Sequence, residues 1–182
     1  SRLDPALLAE HARGLVLLTG CPKGQLSRYV DDGDLVSAQA LLREYLAWFG
    51  AGNVYVELQQ NQVRGDTQRV ARLSRLAAEV DLPTVATGNV HYHRPERSRL
   101  HDVLVAIRHQ GTLDATARHH RSNGDFALRP MAEIERLFAR YPEAVHASLH
   151  LAERCAAFNL ATHAPYQFPE QATPEGESLD SY

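Results

Sequence analysis

Thiol, carboxylate and imidazole side chains sit at the ends of three short apolar runs, and these are the groups that bind divalent metals. Leu15 to Thr19 leads to Cys21, Val54 to Leu58 contains Glu57, and Thr84 to Thr87 leads into Asn89-Val90-His91-Tyr92-His93. A thiolate is a good zinc ligand, and mixed Cys/His/Asp sites suit zinc. Alternation along an extended segment puts Asn89, His91 and His93 on one face. Asn89 is the weak member, because its amide oxygen carries no charge. Glu57 stands in an otherwise apolar strand, where a carboxylate needs a partner. It either orients a ligand from behind or pairs with an Arg. For Cys21 plain core packing is the first expectation, and for residues 89–93 a functional role is expected ahead of a solvated strand cap.

Other polar groups carry weaker signals. His101-Asp102 opens a helix and could support a ligand. His146 and His150 have metal-capable helical spacing but no third ligand, so a solvated face is expected. His119 and His120 lie between Arg118 and Arg121 in a loop where phosphate contact is conceivable but weakly signalled. Arg69, Arg72 and Arg75 share one helix face and read as solvated. Gly20 and Gly24 are too sparse for a phosphate cradle.

The elements that must position these groups follow from pattern. The three runs are short, rich in Val, Leu, Tyr and Thr, and bounded by Gly, Pro or Asn, as buried strands are. Helical stretches separate them, which argues for parallel strands in one sheet. Parallel strands end on the same side, so Cys21, Glu57 and His91 should share one rim. Helices are expected over 4–13, 35–49 with Asp34 as N-cap, 66–80, 96–109, 130–141 and 142–158. Gly20 to Gly33 reads as a Gly-punctuated loop, and Leu160 to Tyr182 as an extended connector. Three strands are too few for a closed parallel barrel, and their edges need cover. The chain therefore reads as part of a larger domain: 1–110 as its sheet-bearing part, 111–160 as a helical extension, 161–182 as connector.

The totals bound the class. The chain has 182 residues, 44% of them hydrophobic, enough for a core. A net charge of −3 does not advertise nucleic-acid binding. Lys23 is the only lysine, against abundant Arg. No apolar run approaches a membrane span, and Ser1 to Glu10 reads as a helix rather than a signal peptide. With no Met at position 1, an excised piece of a longer protein is expected. The two cysteines, Cys21 and Cys155, lie far apart, so free thiols and a cytoplasmic location are expected.

Several segments together carry a family resemblance. They are Gly14–Cys21 (GLVLLTGC), Tyr55–Gln59 (YVELQ), Ala86–Tyr92 (ATGNVHY), Leu100–Leu104 (LHDVL) and Ile107-Arg108. Tyr141–Ala144 (YPEA), Ala152–Cys155 (AERC), Tyr166–Pro169 (YQFP) and Pro174–Ser178 (PEGES) continue it. In this order they resemble the PHP (polymerase and histidinol phosphatase) domain of bacterial DNA polymerase III alpha subunits. The wording around His91 and His93 leans toward the error-prone branch. The resemblance implies the C-terminal half of a distorted, TIM-like α/β barrel, followed by helices and a connector toward a polymerase palm.

The resemblance also implies a divalent metal, zinc, manganese or magnesium, at the strand ends. Cys21 matches a metal-binding Cys or His position, and His91 matches the last residue of an Asp-x-His motif. Asn89 stands where that motif has Asp, and His93 is additional. The family's other His motifs and its polymerase aspartates match nothing in this chain. The implied parent extends a primer, with the PHP region as scaffold or weakened 3′–5′ exonuclease. Its partners would be DNA, other polymerase domains and replication or mutagenesis proteins, and the fragment could self-associate. A free-standing phosphoesterase and a purely structural interaction module are the rival readings.

Overall fold

A six-residue strand with every side chain buried lies at the centre of the fold. The computed structural model describes residues 5–163. Strand β2 (Val54–Gln59) is buried along its whole length, and β1 (Leu17–Leu18) and β3 (Thr84–Thr87) flank it. All pairings are parallel, in the order β1-β2-β3. Leu17 lies opposite Val54, and Glu57 opposite Val85. Strands buried on both faces carry continuous apolar runs, and Val54, Val56 and Leu58 have no exposed surface.

Helices supply the cover. Helix α1 spans Pro5–Glu10. Helix α3 (Leu35–Phe49) buries Ala38, Leu41, Leu42 and Phe49. Helix α4 (Asp66–Glu79) buries Val70, Leu73, Leu76 and Ala77. Both stripes recur at three to four residues, the period of one helix face. Asp34 caps α3 by accepting from the Ser37 N–H at 3.0 Å, which satisfies an otherwise orphan amide. The Ser37 hydroxyl first, and then its N–H, hold the Asp34 carboxyl below its ordinary range.

The expected loop over 20–33 is wrong in its second half. Helix α2 (Gln25–Asp32) occupies it and buries Leu26, Ser27 and Val30. Its glycines are terminators: Gly24 is the N-cap, and Gly33 closes the C-terminus at φ +78°, a conformation that favours glycine. The bounds expected for α3 and β3 are met, whereas those of several other elements run long at their ends. β1 covers two residues rather than Leu15 to Thr19. A 3-10 turn (Pro95–Arg97) precedes α5 (Ser98–Arg108). The short α6 (Leu113–Thr116) and a 3-10 turn (Ala117–His119) were not expected at all. Helices α7 (Met131–Leu137) and α8 (Pro142–Cys155) follow, and α9 (Leu160–His163) stands where the connector was expected to be extended. The rest of that connector, residues 164–182, lies outside the described residues.

The chain divides into a unit ending at His150 and a second beginning at Leu151. In the first, Phe138, Ala144 and Val145 join the core of the sheet and its helices. No helix among the described residues is long and apolar enough to cross a membrane.

Leu58 has no exposed surface and sits in the central strand. Leu58→Ala is expected to lower unfolding free energy by about 3 kcal/mol, from lost transfer energy and a residual cavity. Val36 is 82% exposed, and Val36→Ala should change stability by less than about 0.5 kcal/mol. Urea denaturation of both variants checks the pair.

Candidate functional site

The three strand ends meet at one buried carboxylate. Glu57 Oε2 accepts from the Gly20 N–H beyond β1 at 3.0 Å. Its Oε1 accepts from the Thr87 hydroxyl of β3 at 2.5 Å and from the Gln59 amide at 2.7 Å. The Glu57 N–H in turn donates to Thr19 Oγ1 at 3.0 Å. No Arg is involved, so the arginine-pairing alternative for Glu57 does not hold. What Glu57 fixes is Gly20, the residue before Cys21. The turn that follows is tight: the Gly24 N–H reaches Cys21 O at 2.7 Å. A Cβ on Gly24 would meet that oxygen at 2.9 Å.

Beyond β3 the chain does not stay extended. Asn89 adopts φ +44°, a left-handed conformation that Asn tolerates better than most residues. The turn breaks the expected alternation of Asn89, His91 and His93. Tyr92 is buried and bridges in parallel to Ala127, which leaves His91 and His93 exposed on either side of it. The His91 ring lies edge-on to His101 and Phe126, at 5.3 and 5.9 Å between centroids. His101 thus stands beside His91, with its Nδ1 buried and lacking a hydrogen-bond partner. Asp102 faces His120 instead, at 3.9 Å.

A loop far away in sequence completes the rim. Asn61 donates to Gly88 O at 2.7 Å and to Asp125 O at 3.1 Å. Asn123 donates to Asn61 O at 2.9 Å, and the Tyr92 hydroxyl donates to Asn123 O at 3.1 Å. Arg129 ties the same loop down through Gln60 O and Asp125 O. Arg121 consequently lies over Phe126, 4.8 Å from the ring centroid. Its Nη2 faces His91 Nε2 at 2.5 Å. Sequence reading placed Arg118 to Arg121 in a solvated loop. Its position over the strand ends depends on Asn61 and Asn123, buried or half-buried polar residues that no motif singles out.

These elements enclose a cavity of about 290 Å³ lined by Cys21, Lys23, Asn89, Arg118, Arg121 and Phe126, among others. Cys21 and Asn89 therefore come together, while His91 meets the lining through Arg121 and Phe126. His93 does not line it. Asp66 is the only carboxylate in the lining. Its oxygens accept from the Asn61 and Val63 N–H groups at 2.8 and 3.1 Å and from Arg69 at 3.1 Å.

This donor set does not fit a divalent metal. Among the described residues no group of three or more His, Cys, Asp or Glu could hold one. Asn89 is uncharged, Glu57 is committed to three donors, and a guanidinium faces Nε2 of His91. Loss of hydration pushes the His91 pKa below the ordinary imidazole value, helped by the charges of Arg121, His101 and Lys23. His119, stacked on His109 at 4.0 Å, shifts the same way. There too loss of hydration comes first, followed by His109, Arg118, Lys23 and His120.

Two outcomes follow. A depressed imidazole pKa means that the unfolded chain binds the proton more readily. His91 therefore disfavours the fold as pH falls through the ordinary value of about 6.5, and the loss is complete below the depressed value. Arg121→Gln should raise the His91 pKa, read by NMR titration of the ring, and flatten that part of the stability–pH curve. Glu57→Leu should cost about 3 kcal/mol of stability, since the Gly20, Gln59 and Thr87 donors lose a charged acceptor. Urea titration measures it.

The sequence has known relatives. The PHP domain model matches residues 1–61. The chain is 38% identical over 182 residues to an error-prone DNA polymerase of Mycolicibacterium paratuberculosis, which covers 100% of this chain and 16% of that protein. It is 40% identical over 172 residues to the error-prone DNA polymerase of Nocardia farcinica, covering 91% of the chain and 15% of that protein. The DNA polymerase III subunit alpha of Treponema pallidum is 32% identical over 154 residues, covering 85% of the chain and 13% of that protein. The chain thus spans about one sixth of the length of the curated relatives it matches. Along its whole length it is related to one segment of the error-prone DNA polymerases and DNA polymerase III alpha subunits, a segment that opens in the PHP domain family.

Proposed function

We propose that this chain is the PHP-derived segment of an error-prone DNA polymerase and serves there as a scaffold rather than as a metal-dependent nuclease. The observation that carries the reading is similarity along 100% of the chain to an error-prone DNA polymerase. The scaffold role rests on the donor set: among the described residues no group of three or more His, Cys, Asp or Glu could hold a metal, and Arg121 faces Nε2 of His91. A hydrolytic metal needs several fixed donors and an open position.

In this reading residues 1–110 are the second half of a distorted α/β barrel, 111–160 its helical extension, and 161–182 the connector toward a palm. Leu100, Leu104 and Ile107 of α5 are exposed, as apolar side chains at a contact with another domain of the parent would be once that domain is removed. The parent would be cytoplasmic and would act on DNA together with replication or mutagenesis proteins.

The 182-residue chain is expected to extend no primer and to degrade no 3′ end, with or without manganese. Primer–template incubated with deoxynucleoside triphosphates, and separately with manganese alone, gives both readouts on one gel. Manganese-dependent loss of 3′ nucleotides that disappears in His91→Ala would replace the scaffold reading with the exonuclease one.

A further inference from the structure

Helix α5 carries its apolar stripe on the outside. Leu100, Val103, Leu104 and Ile107 follow the three-to-four-residue spacing of one helix face, yet each is between 40% and 66% exposed. The inward face holds Ser98, His101, Asp102, Val105 and Ala106, and only Ala106 among them is fully buried. In α2, α3 and α4 the apolar stripe points into the core. A contiguous exposed stripe of this kind marks a surface that a partner covers. It continues into a groove. Helix α6 packs against α5, and a cleft of about 440 Å³ beside them is lined by Val103, Leu113 and Ala117 together with Arg99 and Asp102, among others.

Charge decides what fits there. At about 3.6 residues per turn, Arg99 and Arg108 fall on opposite sides of the stripe. Arg94 and Arg97 precede it. Among the described residues, none of these four arginines pairs with a carboxylate. The one carboxylate of α5, Asp102, faces His120 at 3.9 Å. A second copy is therefore a poor occupant. An antiparallel two-fold pairing that matches Leu100 with Ile107 and Val103 with Leu104 brings Arg99 of each copy level with Arg108 of the other, and that face has no acid to meet them. A helix flanked by acids gains where a copy loses.

We infer that this face docks a helix from another domain of the parent polymerase, one whose apolar stripe is flanked by Asp or Glu. An amphipathic helix laid in a groove supplies apolar contact for affinity, and the flanking charges set its direction and exclude the wrong partner. The inference rests on the reading of the chain as a polymerase segment. The chain spans about one sixth of its relatives' length, so most of a parent of that length lies outside these 182 residues and is the source of the helix.

The test compares the 182-residue chain with the full-length parent by hydrogen exchange, read on peptides from α5. Docking should slow exchange in α5 roughly tenfold in the parent. Arg99 and Arg108 are exposed, so the double variant Arg99→Glu/Arg108→Glu should fold normally, which circular dichroism checks. In the parent this double variant, like Leu104→Glu, should return α5 to the faster exchange. Arg75→Glu makes the same kind of charge change on the exposed surface of α4 and should leave the protection intact. Equal exchange in chain and parent overturns the docking. Protection lost in Leu104→Glu but untouched by the paired arginine changes overturns the acidic occupant. A dimer of the chain that Leu104→Glu dissolves, seen by sedimentation, names a second copy and overturns the inference as well. Primer extension by the full-length parent tests the polymerase reading separately: a parent that extends a primer while α5 exchanges freely loses the docking site alone.

Discussion

A carboxylate taken out of water costs several kcal/mol, roughly, unless donors meet its charge. Glu57 is 9% exposed and meets three donors, one from each strand or its end. That arrangement makes Glu57 the clasp of the sheet. β1 contributes only two paired residues, too few to fix its own register firmly, yet the Gly20 N–H is pinned to β2 through the Glu57 side chain. Thr87 is pinned from the other side. The relative heights of the three strand ends, and so the position of Cys21 beside Asn89, depend on this one side chain.

A second layer of polar bonds converts the rim into a cavity. Asn61, Asn123 and Arg129 bind mostly backbone carbonyls. Such bonds are the usual way to hold loop backbone that lacks a ladder of its own. They carry the 117–126 loop over the strand ends and bring its arginines within reach of Lys23 and His91. The consequence is electrostatic. A rim that could begin to hold a cation by virtue of Cys21 and His91 is filled with positive charge, and the one carboxylate in its lining is spent on amide groups.

This balance reconciles family and chemistry. Similarity to error-prone DNA polymerases covers the whole chain, and the PHP model covers its first third. The sheet and its helices keep an α/β arrangement compatible with that family. The side chains at the strand ends are rich in donors: an amide at Asn89, a guanidinium on His91, an ammonium at Lys23. Packing constrains the core far more tightly than the rim.

Local pattern was sufficient for the sheet. The apolar runs at Val54 and Thr84 read as buried parallel strands, and the stripes of α3 and α4, with the Asp34 cap, read as helices, because period and capping are properties of neighbouring residues. The family could also be read from the order of short motifs. Helix α2 was missed where Gly24 and Gly33 looked like loop markers, although they end a helix whose buried residues are Leu26, Ser27 and Val30. The site was legible only in part. Cys21 and Asn89 could be named because they follow strands, but the left-handed turn at Asn89 took His93 out of line. Arg121 reaches His91 across thirty positions of sequence. No spacing rule spans that distance, since the contact is made by Asn61 and Asn123 holding two loops together, and only the folded chain decides which cations face one another there.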